Sequence, residues 1–261
     1  MSEMLVEYQR SCEAMGTRFE VILRGDDAQH LEAVAVAVCE QFLRLDAVLS
    51  RFNPISEVAR INREAKNKSV RIDREIFSLL ERCEMARQNT KGFFDVTAAT
   101  GGAGIELDAE RCSVRFLNEK AQIDLGAIGK GYALDRGHEI LSRFGVQGAL
   151  LNGGTSSVLA MGESFIVDIR HPLEPEIIVH RLTLKDRALS CSAARHPYQS
   201  QSDVVNPLKG TAIIGDDACL VLATNATDAE FFSTALLAMG KKQSGHYLKK
   251  LSCDALQVEW F

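Results

Sequence analysis

The sequence predicts an α+β fold with a mixed, largely antiparallel sheet and flanking helices. Three observations carry this. Several segments space their apolar residues by three and four, as helices packed on one side do. Strand-like runs come in hairpin-like pairs, which favours antiparallel over doubly wound parallel sheet. No proline- or serine-rich linker and no short repeat divides the 261 residues. One unit over 1–261 is therefore expected, and a chain of this length buries a core without disulfide or metal staples.

In chain order, Phe19-Glu20-Val21-Ile22-Leu23 reads as a strand. Asp26 and Asp27 offer an N-cap to a helix carrying Leu31, Val34, Val38, Phe42, Leu45 and Leu49. A polar loop leads to a short helix from Ser56 to near Asn62, and Asp73 caps a longer one to about Gln88, closed near Gly92. Cys112–Leu117 and Ala121–Leu125 read as strands, and a helix is expected from Lys130 to Phe144, ending at Gly145. Gly148–Asn152 is a further strand. Ser157–Met161 and Phe165–Ile169 are expected to form a hairpin around Gly162-Glu163. Strands over Ile177–Leu184 and Cys219–Ala223 precede a helix over Ala226–Met239, stopped by Gly240.

Hydrophobic residues make up 46% and charged residues 25%, a globular rather than disordered composition. The net charge of −5 makes nucleic acid a poor partner. No apolar run is long enough to span a bilayer, and the first residues lack a basic segment followed by an apolar one. A cytoplasmic location is expected. The seven cysteines include no C-x-x-C pair, so reduced, mostly buried thiols are expected.

Four segments are candidates for chemistry. In Asp124-Leu125-Gly126-Ala127-Ile128-Gly129-Lys130-Gly131, glycines and a lysine open a helix. That suits a phosphate cradle, because a helix start offers unsatisfied N–H groups and the glycines allow close backbone approach and positive φ. It is neither a Walker A motif nor G-x-G-x-x-G, and a plain strand-to-helix turn explains it equally well. Asn152-Gly153-Gly154 ends a strand and reads as a turn or a ligand-facing backbone. Glu230 and Thr234 share one helix face and offer hard oxygen donors suited to Mg²⁺, or simply form a polar pair. Gly92-Phe93-Phe94-Asp95-Val96-Thr97 sets aromatics beside an acid, which suits a ring-bearing ligand or reads simply as a capped helix end followed by a core strand.

These segments, preceded by Met15-Gly16-Thr17-x-Phe19 and Ser50-Arg51-Phe52-Asn53-Pro54-x-Ser56-Glu57, succeed one another in an order that resembles the ApbE-like family of FAD:protein FMN transferases. The resemblance runs from about Met15 to Gly240 and is most specific over Asp124–Asp135. It implies a T-fold-type unit that binds FAD with a divalent metal, usually Mg²⁺. It also implies transfer of FMN to a threonine or serine of a partner flavoprotein, with AMP released. By that resemblance Gly126–Gly131 would cradle the pyrophosphate, with Asp124 in the same block and Lys130 supporting the turn or offsetting charge. Glu230, where the family usually has aspartate, and Thr234 would hold the metal with a carbonyl near Gly129. Met15, Asp95, Asn152, Gly153, Gly154 and Ser192 would line the flavin or adenosine pocket.

The chain departs from the family pattern in three places. Ser190-Cys191-Ser192-Ala193 stands where the family has Thr-Ser-Gly, and only Ser192 matches. The family's paired histidines align on Ser202 and Asp203, leaving Asp203 or His196 as the candidate base for the acceptor hydroxyl. Much of the family's segment between Thr97 and Asp124 is also absent. Two alternative activities are a diverged FAD- or nucleotide-binding protein without transfer, and a Mg²⁺-dependent FAD pyrophosphatase. A partner protein keeping only the fold is a third alternative.

Overall fold

The computed structural model describes residues 5–66, 68–102, 104–196, 202–251 and 256–261. In order these form β1 (Val6–Ala14), β2 (Thr17–Gly25), α1 (Ala28–Leu49), α2 (Glu57–Glu64), β3 (Val70–Arg71), α3 (Arg74–Asn89), β4 (Ile105–Asp108) and β5 (Ser113–Phe116). Next come α4 (Gly129–Arg143), β6 (Gly148–Gly153), β7 (Ser157–Met161), β8 (Phe165–Arg170), β9 (Ile178–Leu184) and β10 (Arg187–Ala193). The last are β11 (Val205–Asn206), β12 (Thr211–Ala212), β13 (Ala218–Ala223), α5 (Ala226–Met239), α6 (Lys241–Leu251) and β14 (Gln257–Trp260).

Side chains set the helix starts. Asp27 accepts from the amides of Gln29 and His30, Ser56 from Ala59, Asp73 from Glu75, and Asn225 from Asp228. Each satisfies a donor that the helix itself leaves open.

Seven described strands form one sheet in the order β1-β2-β6-β7-β10-β13-β14, and every neighbouring pair is antiparallel. Its strands alternate faces, as the period of two requires. Phe19, Val21, Leu151, Leu159, Ala188, Cys219 and Val221 join the larger core, which α1, α4 and α5 cover. Val158, Ala160, Leu189, Leu220 and Leu222 face the other way, onto the β8–β9 hairpin. Both faces are covered, so β7 and β13 are buried along their whole length.

Three expectations are corrected. β7 and β8 do not pair, because β7 is flanked by β6 and β10, and β8 pairs instead with β9. Ala121–Leu125 is not a strand. The Asn62 side-chain amide takes the N–H and C=O of Ile123 at 2.7 and 2.9 Å, so no ladder is needed there. The segment after Gly92 is a largely buried turn rather than a strand, with Phe94 held by its amide to Thr90 Oγ1 at 3.0 Å. The described cysteines are free thiols, as expected; Cys253 lies outside the described residues.

Candidate active site

The Gly126–Lys130 turn and α5 meet in one place. They share a cleft of about 600 Å³, walled also by Phe93–Val96, Ser190–Ala193 and the segments holding His196 and Asp203. A smaller cavity of about 260 Å³ adjoins it through Arg51, Phe52, Asp124, Gly126 and Lys130, and extends to Met15 and Gly129.

Helix α4 starts at the edge of both cavities. Its N-cap is Ile128, which offers no side-chain acceptor to the first turn. Asp124 tightens the approach by accepting from Gly126 N at 2.9 Å, and its other oxygen lies 3.2 Å from Arg51 Nε. The Arg51 guanidinium lies over the Phe52 ring at 4.6 Å, and Phe52 is 81% exposed at the rim.

The glycines act by closeness, not by unusual backbone. Gly126, Gly129 and Gly131 have no positive φ, so the expected need for left-handed conformations is not what selects them. A Cβ on Gly131 would lie 2.4 Å from the Ala226 carbonyl oxygen and 3.0 Å from Glu230 Cγ. Glycine there lets α4 and α5 touch. Gly131 and Asp135, one turn apart on α4, both meet the first turn of α5 at Ala226, and Gly131 also abuts Glu230. Asp135 fixes the pairing by accepting from Ala226 N at 2.8 Å and Thr227 N at 3.0 Å.

That contact sets Glu230 under the cleft. The residue is 3% exposed, and its Oε1 accepts from Ser157 Oγ at 2.6 Å and lies 3.4 Å from Lys130 Nζ. Its Oε2 is buried without a hydrogen-bond partner. A buried carboxylate needs partners, and this one has an oxygen to spare. Thr234, one turn on, is joined to Ser192 at 3.3 Å, and Ser192 to Ser233 at 2.8 Å. Cys191 lies in the same wall, but burial pushes its thiol up to about 12, so it stays protonated at neutral pH.

Asp203, His196, Asp95, Asp124, Gly126, Lys130, Ser192, Glu230 and Thr234 thus line the larger cleft, and Met15 and Gly129 the smaller cavity. His196 and Asp203 are both exposed at the mouth. Asp95 is engaged locally, accepting from Thr97 N and Oγ1 at 2.7 and 2.6 Å. Asn152, Gly153 and Gly154 line neither cavity. Asn152 donates to Glu20 at 3.3 Å. Gly154, at φ +76°, leaves room for Thr17, whose Oγ1 would be 2.3 Å from an added Cβ. Met15 and Gly16, both at positive φ, make the two-residue turn of the β1–β2 hairpin. Sequence reasoning missed Ser157 and the Arg51–Asp124 pair. Ser157 carries no local signal, since it reaches Glu230 only through the sheet, whereas Arg51 belongs to the Ser-Arg-Phe motif and could have been found there.

Among the described residues no three His, Cys, Asp or Glu side chains cluster as a metal site. The donor set here is of another kind: one carboxylate with a free oxygen, a hydroxyl and nearby backbone. This fits a hard cation that keeps several waters.

Fold and cleft together define the class: an antiparallel α+β protein presenting a helix start without a side-chain cap, an ammonium and a buried carboxylate to one open cavity. The model of the ApbE family matches residues 15–103 and 98–257, and the chain belongs to the ApbE family. It is 24% identical to a FAD:protein FMN transferase of Klebsiella pneumoniae, over 81% of this chain and 77% of the relative. It is likewise 24% identical to that of Treponema pallidum, over 97% and 84%. Among solved structures, the ApbE protein of Thermotoga maritima superposes with a TM-score of 0.86 at 21% identity, covering 97% of this chain and 93% of that one. The flavin transferase ApbE of Vibrio cholerae superposes at 0.82 and 15% identity, over 98% and 93%. The fold is that of these ApbE structures.

Proposed function

We propose that the protein is a Mg²⁺-dependent FAD:protein FMN transferase. The observation that carries this reading is Glu230: a buried carboxylate with one unpartnered oxygen, set beside Lys130 at the helix start that borders the cleft. In this reading the amides of Lys130 and Gly131 at the start of α4, together with the Lys130 ammonium, bind the FAD diphosphate, Gly129 N being already held by the Leu125 carbonyl at 2.8 Å. Glu230, Thr234 and a carbonyl near Gly129 hold the metal. When bound, Mg²⁺ supplies Lewis-acid charge to the phosphoryl oxygens.

The hydroxyl of an acceptor threonine or serine attacks the FMN-side phosphorus. The new P–O bond forms as the anhydride bond to AMP breaks, and AMP leaves with the bridging oxygen. The hydroxyl proton goes to a base at the mouth of the cleft, where His196 and Asp203 are the candidates. Histidine's ordinary pKa suits proton transfer near neutral pH better than aspartate's. Because both groups are exposed, water has the same access as a protein hydroxyl, so FAD pyrophosphatase activity is the second reading.

Incubation with FAD and Mg²⁺, with and without candidate acceptors, tests both. Transfer predicts AMP release that rises with acceptor and leaves covalent flavin on it. Hydrolysis releases AMP and FMN alike without acceptor. No AMP under any of these conditions would end both readings and leave a binding protein.

A further inference from the structure

We infer that Lys130 is a resident counter-cation of Glu230, and that it makes occupation of the carboxylate by a divalent cation depend on the dinucleotide. This rests on Glu230 being a metal ligand and goes beyond it. The two partners differ in freedom. Glu230 is 3% exposed and pinned by Ser157, while the Lys130 side chain is 24% exposed at the cleft wall. The ammonium lies 3.4 Å from Oε1, and the buried Oε2 has no hydrogen-bond partner. Of the pair, only the lysine can turn toward the open cleft that both residues line.

Charge balance sets the order of occupation. In the FAD-free protein one carboxylate faces one ammonium. A divalent cation on Oε2 would then stand beside the ammonium with only one negative charge between them. In a partly desolvated wall that repulsion is far larger than in water. A diphosphate carries a negative charge on each phosphorus. It offers the ammonium a new partner and adds negative charge against both cations. Metal and dinucleotide therefore strengthen each other's binding, and the coupling is reciprocal.

The test titrates Mn²⁺ into the full chain and reads free Mn²⁺ by electron paramagnetic resonance, without and with saturating FAD. In the unmodified protein, FAD should tighten Mn²⁺ binding by about tenfold, within the usual range for coupled sites. Lys130→Met should tighten Mn²⁺ binding to the FAD-free protein by about fivefold and shrink the FAD effect to under about twofold. Lys130→Arg should restore the original pattern. A Lys130→Met protein with unchanged circular dichroism that binds Mn²⁺ without FAD no better than the unmodified chain overturns the inference. Glu230→Gln separates the levels. If it loses Mn²⁺ binding, the metal site stands whatever the lysine does. If it binds Mn²⁺ normally, metal reading and inference fall together.

Discussion

Helices α4 and α5 lie side by side, yet their first turns are opposites. At α5, Asn225 caps from within the chain, and Asp135 accepts from both Ala226 N and Thr227 N. Arg82, within 2.7 Å of Asp228 and 3.6 Å of Asp135, braces this cap from α3. At α4, the cap position is a fully buried isoleucine with no side-chain acceptor, and among the described residues only Gly129 N of the first three amides is held, by the Leu125 carbonyl at 2.8 Å. One start is closed by protein groups and the other faces a cavity. The difference teaches that a missing cap carries information when a neighbouring helix shows how fully the same chain can cap.

Four substitutions or conditions sharpen this contrast, in decreasing order of effect. Glu230→Gln should lower metal-dependent AMP release by at least about 100-fold, since a metal stabilises phosphoryl-transfer charge by several kcal/mol. Retained turnover would remove the carboxylate from the chemistry. Gly131→Ala drives a methyl against the Ala226 carbonyl and should cost about 3 kcal/mol, as overpacking does. Urea denaturation measures it, and a loss below about 1 kcal/mol would mean the helices separate easily. Asp135→Ala removes the acceptor for two α5 amides and leaves Arg82 short of a partner, for about 2 kcal/mol, read from the same curves. Cys83 gives the smallest effect. Burial pushes this thiol up to about 12, so the fold favours its protonated form. The unfolded chain releases that proton first, so this contribution to stability is full below about pH 9 and is lost as pH rises toward about 12. At pH 10 the loss is on the order of 1 kcal/mol, and Cys83→Ala should flatten the slope of stability against pH.

What could be read from the sequence was what neighbours in the chain decide. Asp27 and Asp73 each sit one residue before a helix they cap, as expected, and Ser56 stands at the start expected for the short helix. The run from Ala226 to Met239 ends at Gly240 as composition implies. The meeting of Lys130 with Glu230 came from motif order, not from periodicity. What escaped was decided by distant partners. Asn62 binds Ile123 across 61 positions, and no pattern in either segment announces it. The second side of β7 belongs to β10, not to the strand that comes next in the chain. Asn152-Gly153-Gly154 reads as a turn or as a ligand surface because a glycine is the same whether it admits a ligand or, as Gly154 does, the side chain of Thr17.

The clamp between Gly131 and Asp135 on one helix and Ala226 to Glu230 on the other makes the two jaws of the grip a single casting. Lysine and carboxylate cannot be pried apart by bending either helix alone. The chain thus fixes the ground beneath both charges and leaves the reaching to one side chain.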